Sequence, residues 1–100
     1  MRAKLIDLIV ENYPNAEIYA LTHVPYMWRE NTLANSELQL YNDVIRNSVK
    51  SYDNCHLVDY FNAKIVTQYN YMDYTSDGLH PNVEGMQIIT NCILDAMYKA

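Results

Sequence analysis

The chain has 100 residues, half of them hydrophobic, with a formal net charge of −5 and a pI near 4.9. That length suits one domain over residues 1–100, with no room for a second core. The acidic balance and the lack of a basic patch exclude a nucleic-acid partner held through phosphate contacts.

Two cysteines, Cys55 and Cys92, are too few for a disulfide framework and show no zinc-type spacing. Both read as buried thiols, and no metal site is expected. The start, Met1-Arg2-Ala3-Lys4-Leu5-Ile6, opens like an export signal, but Asp7 and Glu11 interrupt the apolar run. No stretch is apolar for the eighteen or so residues a membrane span needs. The expectation is a soluble chain with no signal peptide and no membrane partner, its compartment left open.

Residues 2–12 carry Ala3, Ile6, Ile9, Val10 and Tyr13 at helical spacing, with Lys4, Asp7 and Glu11 off that stripe. Pro14 ends this helix, because the residue before proline is pushed out of the helical region. Residues 17–22, centred on Ile18-Tyr19-Ala20-Leu21, are an apolar run without alternation, the mark of a strand covered on both faces. His23-Val24-Pro25 closes the strand, and residues 26–34 read as a loop holding Trp28. Ligands of open α/β sheets bind outside the carboxyl ends of strands, which places His23 and this loop on the functional side.

A second helix is predicted over 36–52, with Leu38, Tyr41, Val44, Ile45, Ser48, Val49 and Tyr52 on one face and Ser36 with Gln39 as a capping box. Asp53-Asn54 breaks it, and residues 55–59 form a second short buried strand. Strand, helix, strand is a crossover unit with a parallel sheet. Residues 63–75 are a connection rich in Tyr and Asn, whose Tyr69, Tyr71 and Tyr74 suit either a ligand pocket or simple aromatic packing. Asp59 reads as an acceptor for nearby backbone donors or as a residue touching the site. The last helix starts at or just after Pro81, or is capped by Asn82, and buries Met86, Ile89, Ile93, Ala96 and Met97. Gly85 in its first turn costs roughly 1 kcal/mol against alanine, which points to close packing there.

Between the last two elements lies the stretch that carries chemistry, Ser76-Asp77-Gly78-Leu79-His80-Pro81-Asn82 followed by Glu84-Gly85. An acid and a histidine three residues apart, with a glycine between and a proline after, can converge in one turn. The acid then fixes the imidazole tautomer and the histidine acts as general base.

With helix, strand, helix, strand and loop before it, this Asp-x-x-His-Pro block resembles the C-terminal half of the SGNH hydrolases, the GDSL-type esterase and lipase family. The resemblance covers nearly the whole chain. Thr22-His23-Val24-Pro25 is similar to the family's strand ending in Thr-x-x-Pro, and Leu57-Val58-Asp59 to the strand before the catalytic block. It implies an α/β fold, part of a three-layer flavodoxin-like α/β/α sandwich with two parallel strands. It implies a Ser-His-Asp triad acting on small acyl esters, with Asp77 as orienting acid, His80 as base, and no cofactor. From their positions, His23 at a strand's end reads as either a substrate contact or a packed or solvated loop histidine, and Tyr74 as a candidate for the substrate side.

No Gly-Asp-Ser and no Gly-x-Asn-Asp occur in these residues, so the nucleophile and an oxyanion-hole asparagine lack counterparts. Ser36, Ser48, Ser51 and Ser76 do not sit on a strand-to-helix elbow. The expectation is the C-terminal portion of a longer hydrolase, inactive by itself. Through its open sheet edges it would self-associate or pair with an N-terminal half. A non-catalytic interaction module is the competing expectation.

Overall fold

The computed structural model describes residues 4–28 and 32–99. In chain order these form helix α1 (Lys4–Asn12), strand β1 (Ile18–Leu21), helix α2 (Thr32–Val49), strand β2 (Cys55–Val58), two single-turn helices α3 (Tyr60–Ala63) and α4 (Tyr71–Tyr74), and helix α5 (Val83–Lys99). The two strands pair in parallel, Ile18 opposite Cys55 through Leu21 opposite Val58.

Each face of this narrow sheet has its own core, as the uninterrupted apolar strands require. On one face Ile18, Ala20 and Leu57 pack with buried Cys55 against Ile6 and Val10 of α1 and Ile45 and Val49 of α2. Leu21 belongs to the second core, where α5 brings Ile88, buried Ile89, Cys92 and Ile93 against Tyr60 and Val66. The result is a small α/β/α arrangement. Burying an aliphatic side chain contributes roughly 1.5–3 kcal/mol, so Ile6 and Val49, both buried, are what seat α1 and α2 on the sheet.

Several boundaries differ from the sequence reading. Helix α2 begins at Thr32, so the loop after β1 is shorter than 26–34 and Ser36 stands inside the helix instead of capping it. Leu33 and Ala34 are good helix formers and extend it upstream. At the other end α2 stops at Val49, because the chain tightens there: Ser51 N donates to Ser48 O at 3.2 Å and Tyr52 N to Val49 O at 3.2 Å, both three-residue closures. Strand β2 stops at Val58, since Asp59 is the N-cap of α3 and accepts from Asn62 N.

The connection over 63–75 is not structureless but contains α4. Ala3, Arg29 and Glu30 lie outside the described residues.

The apolar faces are also less covered than their periodicity suggests. Tyr13, Tyr41, Met86 and Met97 were all expected inside, yet each is exposed. A two-stranded sheet is too narrow to shield the full width of three helices, so residues at the flanks of each stripe remain in solvent. No described helix is long and apolar enough to cross a membrane.

Candidate active site

The Asp77–His80 turn is closed at its base by an isolated antiparallel bridge between Thr75 and Pro81. Inside it one carboxylate organises everything. Asp77 Oδ1 accepts from the backbone N–H of Leu79 at 3.0 Å and of His80 at 2.8 Å, an aspartate turn of the kind this side chain favours. Asp77 Oδ2 meets His80 Nδ1 at 2.6 Å. A carboxylate can only accept, so Nδ1 carries the proton and the lone pair of the neutral ring lies on Nε2.

The hydrogen bond from His80 N leads, followed by that from the imidazole and then that from Leu79 N, in pulling the Asp77 carboxyl down to about 2 from an ordinary 3.8. Asp77 is therefore ionised through the whole neutral range, and it holds the ring in the tautomer protonated at Nδ1. The pair stands open to solvent, with the His80 side chain 72% and that of Asp77 51% exposed.

Three anchors hold this exposed turn. Gly78 has φ +89°, a conformation that side chains rarely adopt, and a Cβ there would lie 2.7 Å from Trp28 N. Its N–H donates to Thr75 Oγ1 at 2.9 Å, and its carbonyl accepts from Met27 N at 2.8 Å, which ties the turn to the loop after β1.

On the other side, Asn82 N donates to Tyr74 O and Asn82 Nδ2 to Asp73 O, both at 3.0 Å. Asn82 Oδ1 caps α5 by accepting from Gly85 N at 2.9 Å, so Asn82 is the N-cap and Pro81 lies outside the helix. Gly85 is the third anchor: a Cβ there would come 2.1 Å from Tyr74 O, and this is the close packing that its helix-weakening position calls for.

Of the other candidates, neither the His23 nor the Tyr74 side chain hydrogen-bonds to Asp77 or His80 among the described residues. The backbone N–H of His23 donates to Asn42 Oδ1 at 2.8 Å, and its Nδ1 meets Val24 O at 2.7 Å, with the ring exposed. Tyr74 packs into the second core with Tyr60, Val66 and Ile89. Tyr71 lines a small cavity of about 100 Å³ beside Trp28, Asp77 and Gly78, and Tyr69 is 90% exposed.

Asp59 does more than take backbone donors. Arg46 reaches it with Nε to Oδ2 and Nη2 to Oδ1, both at 2.9 Å, and Thr22 Oγ1 donates to Oδ1 at 3.2 Å. The hydrogen bonds from Arg46 lead in lowering the Asp59 pKa. A carboxylate so fully engaged clamps the carboxyl ends of the two strands together and has no free oxygen for a proton transfer.

The sequence reading missed Arg46 and the Met27–Gly78 tie, since both partners are far away in sequence. The Thr75–Gly78 bond was within reach, because a hydroxyl residue three positions before a glycine is a local turn signal.

No serine hydroxyl bonds a ring nitrogen of His80 among the described residues. Ser48 is buried, Ser36 and Ser51 are exposed on α2 and the turn after it, and Ser76 Oγ sits 3.4 Å from the His80 carbonyl oxygen. Among the described residues, no group of three or more His, Cys, Asp or Glu side chains could hold a metal ion.

The fold is a parallel α/β unit with an acid-held histidine in the turn before its last helix. The model of the GDSL-like Lipase/Acylhydrolase family matches residues 2–88, a span that includes Asp77 and His80. The chain belongs to that family. No curated protein and no solved structure matches it.

Proposed function

We propose that this chain supplies the acid–base half of an acyl-ester hydrolase, with His80 as general base and Asp77 as the acid that orients it. The observation that carries this reading is the 2.6 Å contact from His80 Nδ1 to Asp77, which leaves Nε2 without a partner among the described residues on an exposed ring. Nε2 takes the proton of a serine hydroxyl as its oxygen attacks the ester carbonyl, then returns that proton to the departing alcohol. A water deprotonated at the same nitrogen hydrolyses the acyl-serine and releases the carboxylic acid.

The serine and the oxyanion donors come, in this proposal, from a polypeptide bearing a Gly-Asp-Ser segment that covers the sheet and helix surface around exposed Leu5, Leu8, Leu40 and Tyr41. Small acyl esters are the substrate class. The placement of the four serines favours a second reading for the chain acting alone, a non-catalytic module that binds a partner.

The two readings separate in one experiment. The purified chain is assayed on nitrophenyl acetate, alone and after mixing with the Gly-Asp-Ser half of a related hydrolase, with sedimentation run in parallel. The hydrolase reading expects no turnover alone, and turnover on mixing that His80→Ala abolishes. A stable complex without turnover supports the module. Turnover by the chain alone that survives in His80→Ala overturns the assignment of the pair.

A further inference from the structure

A cavity of about 600 Å³, unused by the reaction above, opens at the carboxyl end of both strands. Pro25 and Met27 of the loop after β1 form one wall, and Phe61, Lys64 and Val66 in and after α3 form the other. Its volume is that of a small-molecule site, and its place is where open α/β sheets bind ligands.

What its polar groups still offer is narrower than what lines it. Asn35 is spent at both ends of its amide on Tyr26, accepting from Tyr26 N and donating to Tyr26 O, each at 2.7 Å. Asn62 accepts from Gln39 Nε2 at 2.9 Å and donates to Asp59 at 3.3 Å. The other amide atom of Gln39 is enclosed and reaches no ligand. Thr67 Oγ1 accepts from Tyr69 N at 3.2 Å. The Lys64 ammonium and the Gln68 amide have no partner among the described residues, and both can donate.

Among the described residues, no aspartate or glutamate lines this cavity, whereas other cavities hold Asp59 and Asp95, or Glu37. Lys64 also adopts φ 56° at the C-cap of α3, where glycine is the residue without strain. A strained lysine kept at the edge of an apolar cavity is the kind of outlier that accompanies a binding role.

We propose that this cavity binds a small amphiphilic carboxylate, with its anionic head at Lys64 and Gln68 and its apolar tail among Met27, Phe61 and Val66. The inference stands on the cavity lining and does not depend on the hydrolase reading. Met27 also ties the cavity wall to the Asp77 turn through its bond to Gly78, so a bound carboxylate sits one residue contact away from the dyad.

The test is titration of the isotope-labelled chain with octanoate, with neutral octanamide as control, followed by amide chemical shifts. Expected are saturable shifts concentrated in residues 26–27 and 61–69, and binding of octanamide about tenfold weaker, the loss of one charge-assisted hydrogen bond. Lys64→Gly removes the ammonium and the backbone strain together, so it is expected to raise Tm while weakening octanoate about tenfold, and Lys64→Arg to retain binding. A folded Lys64→Gly that binds octanoate as tightly as the parent, equal binding of octanamide, or shifts scattered over the whole surface would each overturn the proposal.

Discussion

Among the described residues stand two histidine–carboxylate pairs of nearly equal length, and they are built for different ends. His80 meets Asp77 at 2.6 Å through Nδ1, and His56 meets Glu17 at 2.7 Å through Nε2. In the first, the carboxylate is also bonded to two backbone N–H groups and the turn is bolted to the loop after β1 and to α5. In the second, Glu17 is exposed at the start of β1, and the His56 ring is stacked on Tyr19 with centroids 4.8 Å apart. Distance alone does not mark a catalytic pair. What marks it is an acid whose geometry is fixed by the backbone.

The largest effect that could break this contrast is on activity. In the complex that hydrolyses nitrophenyl acetate, His80→Ala is expected to lower kcat roughly a thousandfold or more, as loss of a triad base does. His56→Ala should change it by less than about twofold. Comparable losses in the two variants would mean that the pairs are not distinguished as argued.

Next in size is Gly85→Ala. Helix propensity alone would make the substitution favourable by roughly 1 kcal/mol, but the added Cβ meets Tyr74 O at 2.1 Å. The net result should be a loss of about 1–3 kcal/mol, the range for overpacking, seen as a lower urea midpoint. Amide shifts should move in residues 74–82 and stay fixed around His56. A stabilised Gly85→Ala would show that this anchor of the turn is not needed.

A smaller and sharper measurement is the titration of Asp77. Its folded pKa lies below the unfolded value, so the stability it contributes is present above about 3.8 and is lost as the pH falls toward 2. Carboxyl carbon shifts should report a midpoint near 2 in the native chain. A midpoint near 3.8 would mean that the bonds from Leu79 and His80 do not persist in solution.

The smallest effect belongs to the other pair. Glu17→Gln should alter stability by no more than about 0.5 kcal/mol, because a contact made by an exposed side chain contributes little against solvent and side-chain entropy. A larger loss in thermal unfolding would place His56–Glu17 among the structural contacts of the sheet.

Much of this protein was legible without coordinates wherever the cause is local. Pro14 stops α1, the apolar run Ile18-Tyr19-Ala20-Leu21 is a strand, and Asp77, Gly78 and His80 form one turn because three residues with those side chains have few other ways to satisfy themselves. Family membership was legible for the same reason, since the Asp-x-x-His-Pro block and the order of elements before it are contiguous in the chain. Periodicity misled where the answer depends on what lies opposite. Tyr41, Met86 and Met97 are spaced as core residues, yet a sheet of two strands leaves them exposed.

Only the tertiary structure could show that Arg46 neutralises Asp59, that Met27 and Trp28 close over Gly78, and that Lys64 stands at a cavity with no acid among its described lining residues. Each of those joins residues from separate elements. Side-chain chemistry and local turns are encoded in a few neighbouring residues, whereas burial, charge pairing and cavities depend on the packing of elements against one another, and a linear pattern carries no record of that.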